Sequence, residues 1–347
     1  MANSYNNSYS QRRIRKIVRR FGLIPMRSEP VASFYRKNAI LRVQTESGTY
    51  AMKPFYRSLL LRSGTIDQIK STADNIQMLM NSGFSNMPKW LKSSDGRLWI
   101  LNQGRPFYVT AWIHGKRLEK PEDFEKLGRA LASLHTTSSC FFSMNSPFFD
   151  HIRLWKNRDR LFRSRMAKAN QTNLWTRRWF ERFAEACIQF SERTWAELKT
   201  PEMANLLRME RISPALIHSD ITTHNVIIAD DGQLFIIDWD HSKLGSIYVD
   251  LATTLMNTTH FNPVFMHSLL KGYEALRPLN HAERKLISAL YRLPREAWHA
   301  ARFPDRPRSR NMLDIMEQTW LPRLKGMVVL DEWANQDPSS KITPVRY

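Results

Sequence analysis

The chain is short of the features that would fix several functional classes outright. Only two of its 347 residues are cysteine, Cys140 and Cys187. That pair supplies no metal or redox spacing, and a reduced intracellular setting is the economical reading. No apolar run reaches the roughly 20 residues a membrane-crossing helix requires. The positively charged N-terminus is not followed by an apolar core, which argues against a secretory signal. No acid precedes Glu29, while Arg and Ser are frequent there, a composition also compatible with an organelle transit peptide. Acids are scarce throughout, with 32 Asp and Glu against 52 Lys and Arg, a net charge of +20. Such a surface attracts polyanions and repels cations. An acidic partner is expected, and a polycationic substrate is not.

What is present suffices for a sizeable core. Hydrophobic residues make up 42% of the chain and aromatics 11%, enough for one large two-lobed unit or two domains. Residues 1–10 are polar and of low complexity, and read as disordered. Gln11 to Arg20 carries six Arg and Lys with Ile14, Ile17 and Val18 at helical spacing. It reads equally as a helix laying its apolar stripe on the body and as an anchoring arm for an acidic surface. Helical patterns cover Ile66 to Met80, Pro121 to His135, Leu255 to Tyr273, Glu283 to Phe303 and Asn311 to Leu324. Pro304 to Arg310 reads as a basic loop.

The stretch from Arg153 to Arg182 holds ten Arg and Lys, interleaved with Trp155, Trp175, Trp179 and Phe180. Arg with aromatics suits polyanion contact. Aromatics at helical spacing are more often core with Arg stems covering them, and that reading is preferred here. Nucleic-acid binding has only charge behind it.

Most of the chemistry lies between Ala215 and Ala252. An apolar run, Ala215 to Ile217, leads into His218-Ser219-Asp220, and Asn225 follows five positions after Asp220. Val226 to Ala229 and Leu234 to Ile237 are short apolar runs joined by Asp230-Asp231-Gly232, a hairpin signal. The second run ends in Asp238-Trp239-Asp240. The hairpin would hold Asn225 and Asp238 close in space, with Asp220 on the entering loop. An Asp, an Asn and a second Asp at one mouth are what ATP-dependent phosphoryl transfer requires: one carboxylate for the acceptor hydroxyl, an amide oxygen and a carboxylate for magnesium.

These pieces resemble the protein-kinase-like fold, and within it the branch of aminoglycoside phosphotransferases, choline kinases and spore-coat proteins of the CotS family. The signature there reads His-Gly-Asp-x-x-x-x-Asn, then Ile-Asp-[Phe/Trp]-[Asp/Glu], then Asp-Leu-Ala. It is matched by His218, Asp220, Asn225, Ile237-Asp238-Trp239-Asp240 and Asp250-Leu251-Ala252. The strand Tyr50-Ala51-Met52-Lys53-Pro54, the turn Ser82-Gly83-Phe84 and Trp112-Ile113-x-Gly115 are closest to CotS.

The resemblance implies an α+β, two-lobed architecture. A small antiparallel-sheet N-lobe would cover 21–112 and a larger, mainly helical C-lobe 113–332, with a basic arm at 1–20 and a polar tail at 333–347. It implies ATP and magnesium as cofactors and Asp220 as catalytic base. Asn225 and Asp238 would be the metal ligands, with Lys53 on the phosphates and Thr110, Ala111 and Trp112 around the adenine. His218, Asp240 and Asp250 would support the site, Asp250 by anchoring the loop backbone. His135 reads as a helix-end residue. The acceptor would be a hydroxyl-bearing small molecule or coat-associated substrate, the setting the mother-cell cytoplasm or the spore coat, and acidic coat proteins would be candidate partners.

Several positions depart from the pattern. The turn from Val31 to Asn38 has no glycine to let backbone amides approach phosphates, and only Arg36 and Lys37 offer charge. The helix 66–80 has no Glu to pair with Lys53, only Asp67 and Asp74. Ser219 stands where glycine is usual, and Thr222 where a His is common; His224 is a possible substitute. An active phosphotransferase and a catalytically weak kinase-fold component of the coat are both compatible with this set.

Overall fold

Ser10 opens the first helix described by accepting the Arg13 N–H, a helix N-cap. The structure is a computed structural model describing residues 9–31, 40–55, 65–139, 141–142, 146–166, 174–304 and 306–336. The glycine-free turn beyond Val31, with Arg36 and Lys37, lies outside the described residues, as do Cys140 and the first eight residues. In chain order the elements begin α1 (Gln11–Arg19), β1 (Pro25–Val31), β2 (Ile40–Thr45), β3 (Gly48–Pro54), α2 (Thr65–Asn81), β4 (Ile100–Asn102), β5 (Arg105–Ala111) and β6 (Gly115–Lys116). Then come α3 (Pro121–Ser139), α4 (His151–Met166), α5 (Leu174–Glu197), α6 (Pro201–Ile212), β7 (Ala215–Ile217), β8 (Val226–Ala229), β9 (Leu234–Ile236) and β10 (Lys243–Gly245). Helices α7 (Ile247–Thr258), α8 (Pro263–Glu274), α9 (His281–Tyr291), α10 (Arg295–Arg302), α11 (Pro307–Gln318) and α12 (Trp320–Asn335) complete the chain. The result is the mixed α+β composition expected, a small antiparallel sheet and a larger helical part.

Two units separate. One takes Met1–Leu118 together with His224–Ser242, the other Glu119–Thr223 together with Lys243–Tyr347. The hairpin carrying Asn225 and Asp238 therefore groups with the N-terminal sheet rather than with the helices around it in sequence.

In the first unit the strands run in the order β1-β2-β3-β5-β4, every neighbour antiparallel. One face carries Leu41, Val43, Met52, Phe107 and Val109, and α1 packs Ile14, Ile17 and Val18 onto it. Arg12, Arg15, Lys16 and Arg19 stay exposed on the far side of α1. Of the two readings of this basic helix, packing on the body holds. Arg13 adds a hydrogen bond from Nε to Asn102 Oδ1 at 2.9 Å. Strand alternation then puts Lys53 on the face opposite Met52.

The second unit is mostly helical. Trp155, Trp179 and Phe180 are buried, so the basic-aromatic stretch is core with arginines outside it; the Trp175 side chain lies outside the described set. Three expected helices are each two. The Leu255 to Tyr273 pattern breaks at Thr259 to Asn262, where His260 and Phe261 take positive φ and Asn262 caps a new helix at Pro263. Glu283 to Phe303 breaks at Pro294, which cannot donate to a continuing helix. Asn311 to Leu324 breaks at Thr319. The expected basic loop is helical from Pro307, again with proline in the first turn. Helix α12 continues to Asn335, past the expected start of the polar tail, because Trp333 and Ala334 are buried.

Helices α3 and α8 cross at two facing glycines. A Cβ on Gly128 would lie 2.0 Å from Leu269 O, and one on Gly272 2.0 Å from Glu125 O. No side chain fits between these backbones, so the crossing sets how deeply α3 sits in the unit. Gly272→Ala should therefore cost about 3 kcal/mol as the helices separate. A thermal-unfolding midpoint unchanged from wild type would refute the close crossing.

Candidate active site

In the first unit β8 and β9 form the hairpin, with Val226 opposite Ile236. Gly232 turns it at φ 82°, a left-handed value that suits glycine. Ile237 N–H donates to Asn225 O at 2.8 Å, so Asn225 and Asp238 flank the same open end. Asp238 itself is left-handed, φ 72°. A non-glycine residue in that region is strained, and such strain collects at functional positions. It turns the chain sharply before Trp239, which is buried with its indole donating to Ile236 O at 2.6 Å.

Lys53, on β3 opposite Tyr108 of β5, donates to the Asp238 carboxylate, an ion pair spanning 185 residues of sequence. No carboxylate of α2 takes that place: Asp67 pairs with Lys70 and Asp74 is exposed. Burial pushes the Asp238 carboxyl up, but the Lys53 ammonium and a hydrogen bond from Asp240 outweigh it and hold the group well below the usual carboxylate range. Asp240 goes the other way. Its burial, together with the Asp238 charge, raises it well above that range against the pull of Lys53. One Asp240 oxygen, Oδ1, is buried without a hydrogen-bond partner.

At the linker, Ala111 N–H donates to Lys89 O at 2.8 Å and Trp112 N–H to Thr49 O at 3.0 Å. Thr110 sits inside the sheet, opposite Ala51 and bridged to Trp90. An adenine at this edge would thus not meet the N–H groups of Ala111 or Trp112. Ile113, the next residue on, lies beyond the end of β5 with no N–H bond recorded among the described residues.

In the second unit β7 pairs with β10 and runs into His218-Ser219-Asp220. Asp250, in the first turn of α7, holds that loop. Its Oδ2 accepts His218 N–H at 3.0 Å and its Oδ1 accepts Ser219 N–H at 2.9 Å. His218 Nδ1 accepts Asp220 N–H at 3.3 Å. His135 reaches Asp250 Oδ2 at 3.3 Å through Nε2 and the Tyr273 hydroxyl at 2.9 Å through Nδ1. Burial lowers the His135 imidazole, and a neutral ring fits both contacts if Nε2–H donates and Nδ1 accepts. Burial alone would raise Asp250, yet the hydrogen bond from His135 and the charges and N–H around it bring it below its ordinary value. Ser219 is left-handed, φ 68°, and its Oγ is buried without a partner.

His135 and Tyr273 are thus parts of the loop support that sequence reasoning did not find. The Leu-Ala-x-Leu-His ending suggested a terminal histidine, but α3 continues to Ser139 and buries the ring. Among the described residues no helix is long and apolar enough to cross a membrane.

The profile of the phosphotransferase enzyme family matches residues 38–286, well over half of the chain. A homoserine kinase of Methylobacterium radiotolerans is 27% identical over 202 residues, 54% of either chain, so the match spans about half of that relative. One from Xanthobacter autotrophicus is 28% identical over 271 residues, 74% of either chain. Among solved structures, an aminoglycoside phosphotransferase of Alicyclobacillus acidocaldarius superposes with a TM-score of 0.76 at 15% identity, covering 95% of this chain and 98% of that one. A spectinomycin phosphotransferase in complex with ADP and spectinomycin gives 0.63 at 17% identity, covering 94% and 95%. The likeness carries the fold, which is of the aminoglycoside phosphotransferase and protein-kinase-like type.

Two substitutions on the loop should move stability in opposite directions. Ser219→Gly removes left-handed strain and an unpartnered hydroxyl, a gain of up to about 1 kcal/mol. Asp250→Ala strands two buried N–H groups and should lose about 3 kcal/mol. Urea unfolding midpoints measure both, and a destabilised Ser219→Gly would contradict the assigned backbone.

Proposed function

This chain belongs to the phosphotransferase enzyme family, and from that premise we propose that it transfers the γ-phosphoryl group of ATP to a hydroxyl of a small molecule. The observation that carries the reading is the Lys53–Asp238 ion pair beside Asn225 at the open end of the hairpin. Lys53 is the point charge for the nucleotide phosphates, drawn from Asp238 when they arrive. Asn225 and Asp238 offer the amide and carboxylate oxygens that suit magnesium, and Asp238 is held ionised as a ligand must be. No group of three or more His, Cys, Asp or Glu among the described residues is arranged for a metal. When bound, magnesium neutralises charge that develops on the phosphates during transfer.

Asp220 orients the acceptor hydroxyl and takes its proton, while His218 and Asp250 fix the loop backbone that carries it. Adenine recognition moves from Thr110, Ala111 and Trp112 toward Ile113, because two of those N–H groups have internal partners. A net charge of +20 favours a neutral or anionic acceptor over a polycation.

The finer reading is a CotS-type spore-coat protein in the mother-cell cytoplasm or the coat, with acidic coat partners. It is supported by the Tyr50 to Pro54 strand, the Ser82-Gly83-Phe84 turn and Trp112-Ile113-x-Gly115. A catalytically weak coat component is favoured by one specific observation: α2 has no glutamate to hold Lys53.

Thermal shift with ATP and magnesium separates these readings. At ligand a hundredfold above Kd, linkage gives about 2.7 kcal/mol, a rise of several degrees that requires metal and nucleotide together. Asp238→Ala should abolish the rise, and a wild type that shows none supports the structural reading. Asp220→Ala should keep the rise and lower phosphoryl transfer about 100-fold or more. Full transfer by that variant would remove Asp220 from the role of base.

A further inference from the structure

In the second unit a line of cations and rings runs from the end of β7 along α4 to α10. Lys243 opens β10 directly opposite Ile217, three residues before Asp220. Its ammonium lies 4.3 Å from the centroid of the Phe149 ring. Phe149 is tied to β10 by its N–H to Leu244 O at 2.9 Å. The Phe149 ring meets His151 at 4.5 Å, His151 meets Trp155 at 6.0 Å, and the Arg295 guanidinium stands over Trp155 at 5.4 Å. Arg158, one turn beyond Trp155 on α4, lies within the field of Arg295.

Among the described residues, Lys243 and Arg158 of this line make no ion pair, and Arg295 shares the charge of Glu296 with Arg323. Lys243 and Arg158 make no side-chain hydrogen bond among them either, and both are half-buried. Arg295 places one Nη 3.1 Å from the Met256 sulfur and feels the charge of the adjacent Glu296, while its Nε is buried with no hydrogen-bond partner among the described residues. His151 Nδ1 is likewise buried and unpartnered.

The neighbouring carboxylates each hold other donors, though one oxygen of Asp159 and one of Glu296 are buried without a hydrogen-bond partner among the described residues. Asp150 holds Arg211 and the Arg153 N–H, Asp159 holds Arg163 and Trp195, Glu296 holds Arg323, and Asp250 holds the loop. Burial lowers the Lys243 ammonium, with Asp250 and Asp220 acting in the opposite direction. Burial likewise lowers Arg295 to about 10. A ring face is a weaker partner for a desolvated cation than an anion is, so a row of this kind is left at a cost. Structural arginines of this unit, by contrast, find carboxylates: Arg292 contacts both Glu197 and Asp331.

We propose that Lys243, Arg295 and Arg158, with His151 between them, seat a carboxylate or phosphate group on the acceptor alcohol. The assignment rests on the phosphotransferase reading and narrows it to an anionic hydroxyl compound. Lys243, nearest the Asp220 loop, sets the distance between the anionic group and the reacting hydroxyl. Arg295 and Arg158 supply forked donors that match either anion.

Saturation-transfer NMR on the full chain tests it with four probes. They are 4-hydroxybutyrate as hydroxy-carboxylate, glycerol 3-phosphate as hydroxy-phosphate, glycerol as neutral control and aminopropanol as cationic control. At least one anionic probe should bind tenfold or more tighter than glycerol, and which one does distinguishes carboxylate from phosphate. Lys243→Met and Arg295→Met should each weaken that binding at least tenfold, with Lys243→Arg recovering most of it. Circular dichroism shows whether the variants fold, and the recovery by Lys243→Arg would not follow from a purely packing role. Binding of neither anion, preference for glycerol or aminopropanol, or unchanged affinity in both Met variants overturns the proposal. ADP with magnesium is titrated into the same samples. Nucleotide binding without anion binding sinks this inference alone, whereas anion binding without nucleotide binding sinks the phosphotransferase reading and the acceptor role with it.

Discussion

One buried carboxylate, Asp250, holds the loop on which the proposed chemistry depends. It accepts two consecutive backbone N–H groups, from His218 and Ser219, and a third contact from His135. A carboxylate with both oxygens engaged tolerates burial, because each donor replaces a water it has lost. The support extends outward: His135 is set by Tyr273 on α8, and α3 and α8 meet at Gly128 and Gly272 with no side chain between them. The position of Asp220 thus traces back to a helix crossing far from it in sequence. Loss of either glycine would be felt first as a displaced ring and only then as a displaced loop.

Charge in the hairpin unit follows a different logic. Asp238 and Asp240 are two carboxylates in one place with one strong cation, Lys53, and only one of them is stabilised as an anion. Like charges at short range cannot both ionise cheaply, so ionisation is favoured at Asp238 and opposed at Asp240. In the usual arrangement a helix glutamate keeps the strand lysine in place. Here Asp238 is the lysine's carboxylate partner, which couples lysine release to the arrival of whatever neutralises Asp238. Left-handed backbone at Asp238 and at Ser219 marks the turns that present these groups.

Much of this was legible in the letters, for local reasons. The hairpin from Val226 to Ile236 announces itself through two apolar runs and Asp230-Asp231-Gly232, and the β3 lysine through the likeness of Tyr50-Ala51-Met52-Lys53 to the lysine-bearing strand of the kinase-like fold. The helix breaks were harder. A helical pattern runs through Leu255 to Tyr273 and Glu283 to Phe303, and only Asn262-Pro263 and Pro294 interrupt it. Both signals are visible once cap chemistry is set above periodicity. His135 was illegible for a different reason: its role comes from Tyr273 and Asp250, more than a hundred residues away. The internal partners of the linker N–H groups were equally illegible, because nothing local shows that Lys89 and Thr49 take up those of Ala111 and Trp112.

The net charge of +20 is not one property but two. Many arginines sit on exposed helix faces with a carboxylate four residues away, as Arg129 with Glu125, Arg177 with Glu181 and Arg193 with Glu197. Such pairs contribute little to stability and are screened by salt. They keep the surface solvated without choosing a ligand. The arginines of α1 have no acid on their own helix, but they too stay in water, with the isoleucines in the core. Lys243 and Arg158 differ because they are partly withdrawn from water and make no ion pair among the described residues, and Arg295 because the Glu296 beside it is already held by Arg323. Solubility does not require a cation to be buried, and packing would be served better by an apolar side chain of similar size. A cation retained in that position is accounted for by an anion that comes and goes.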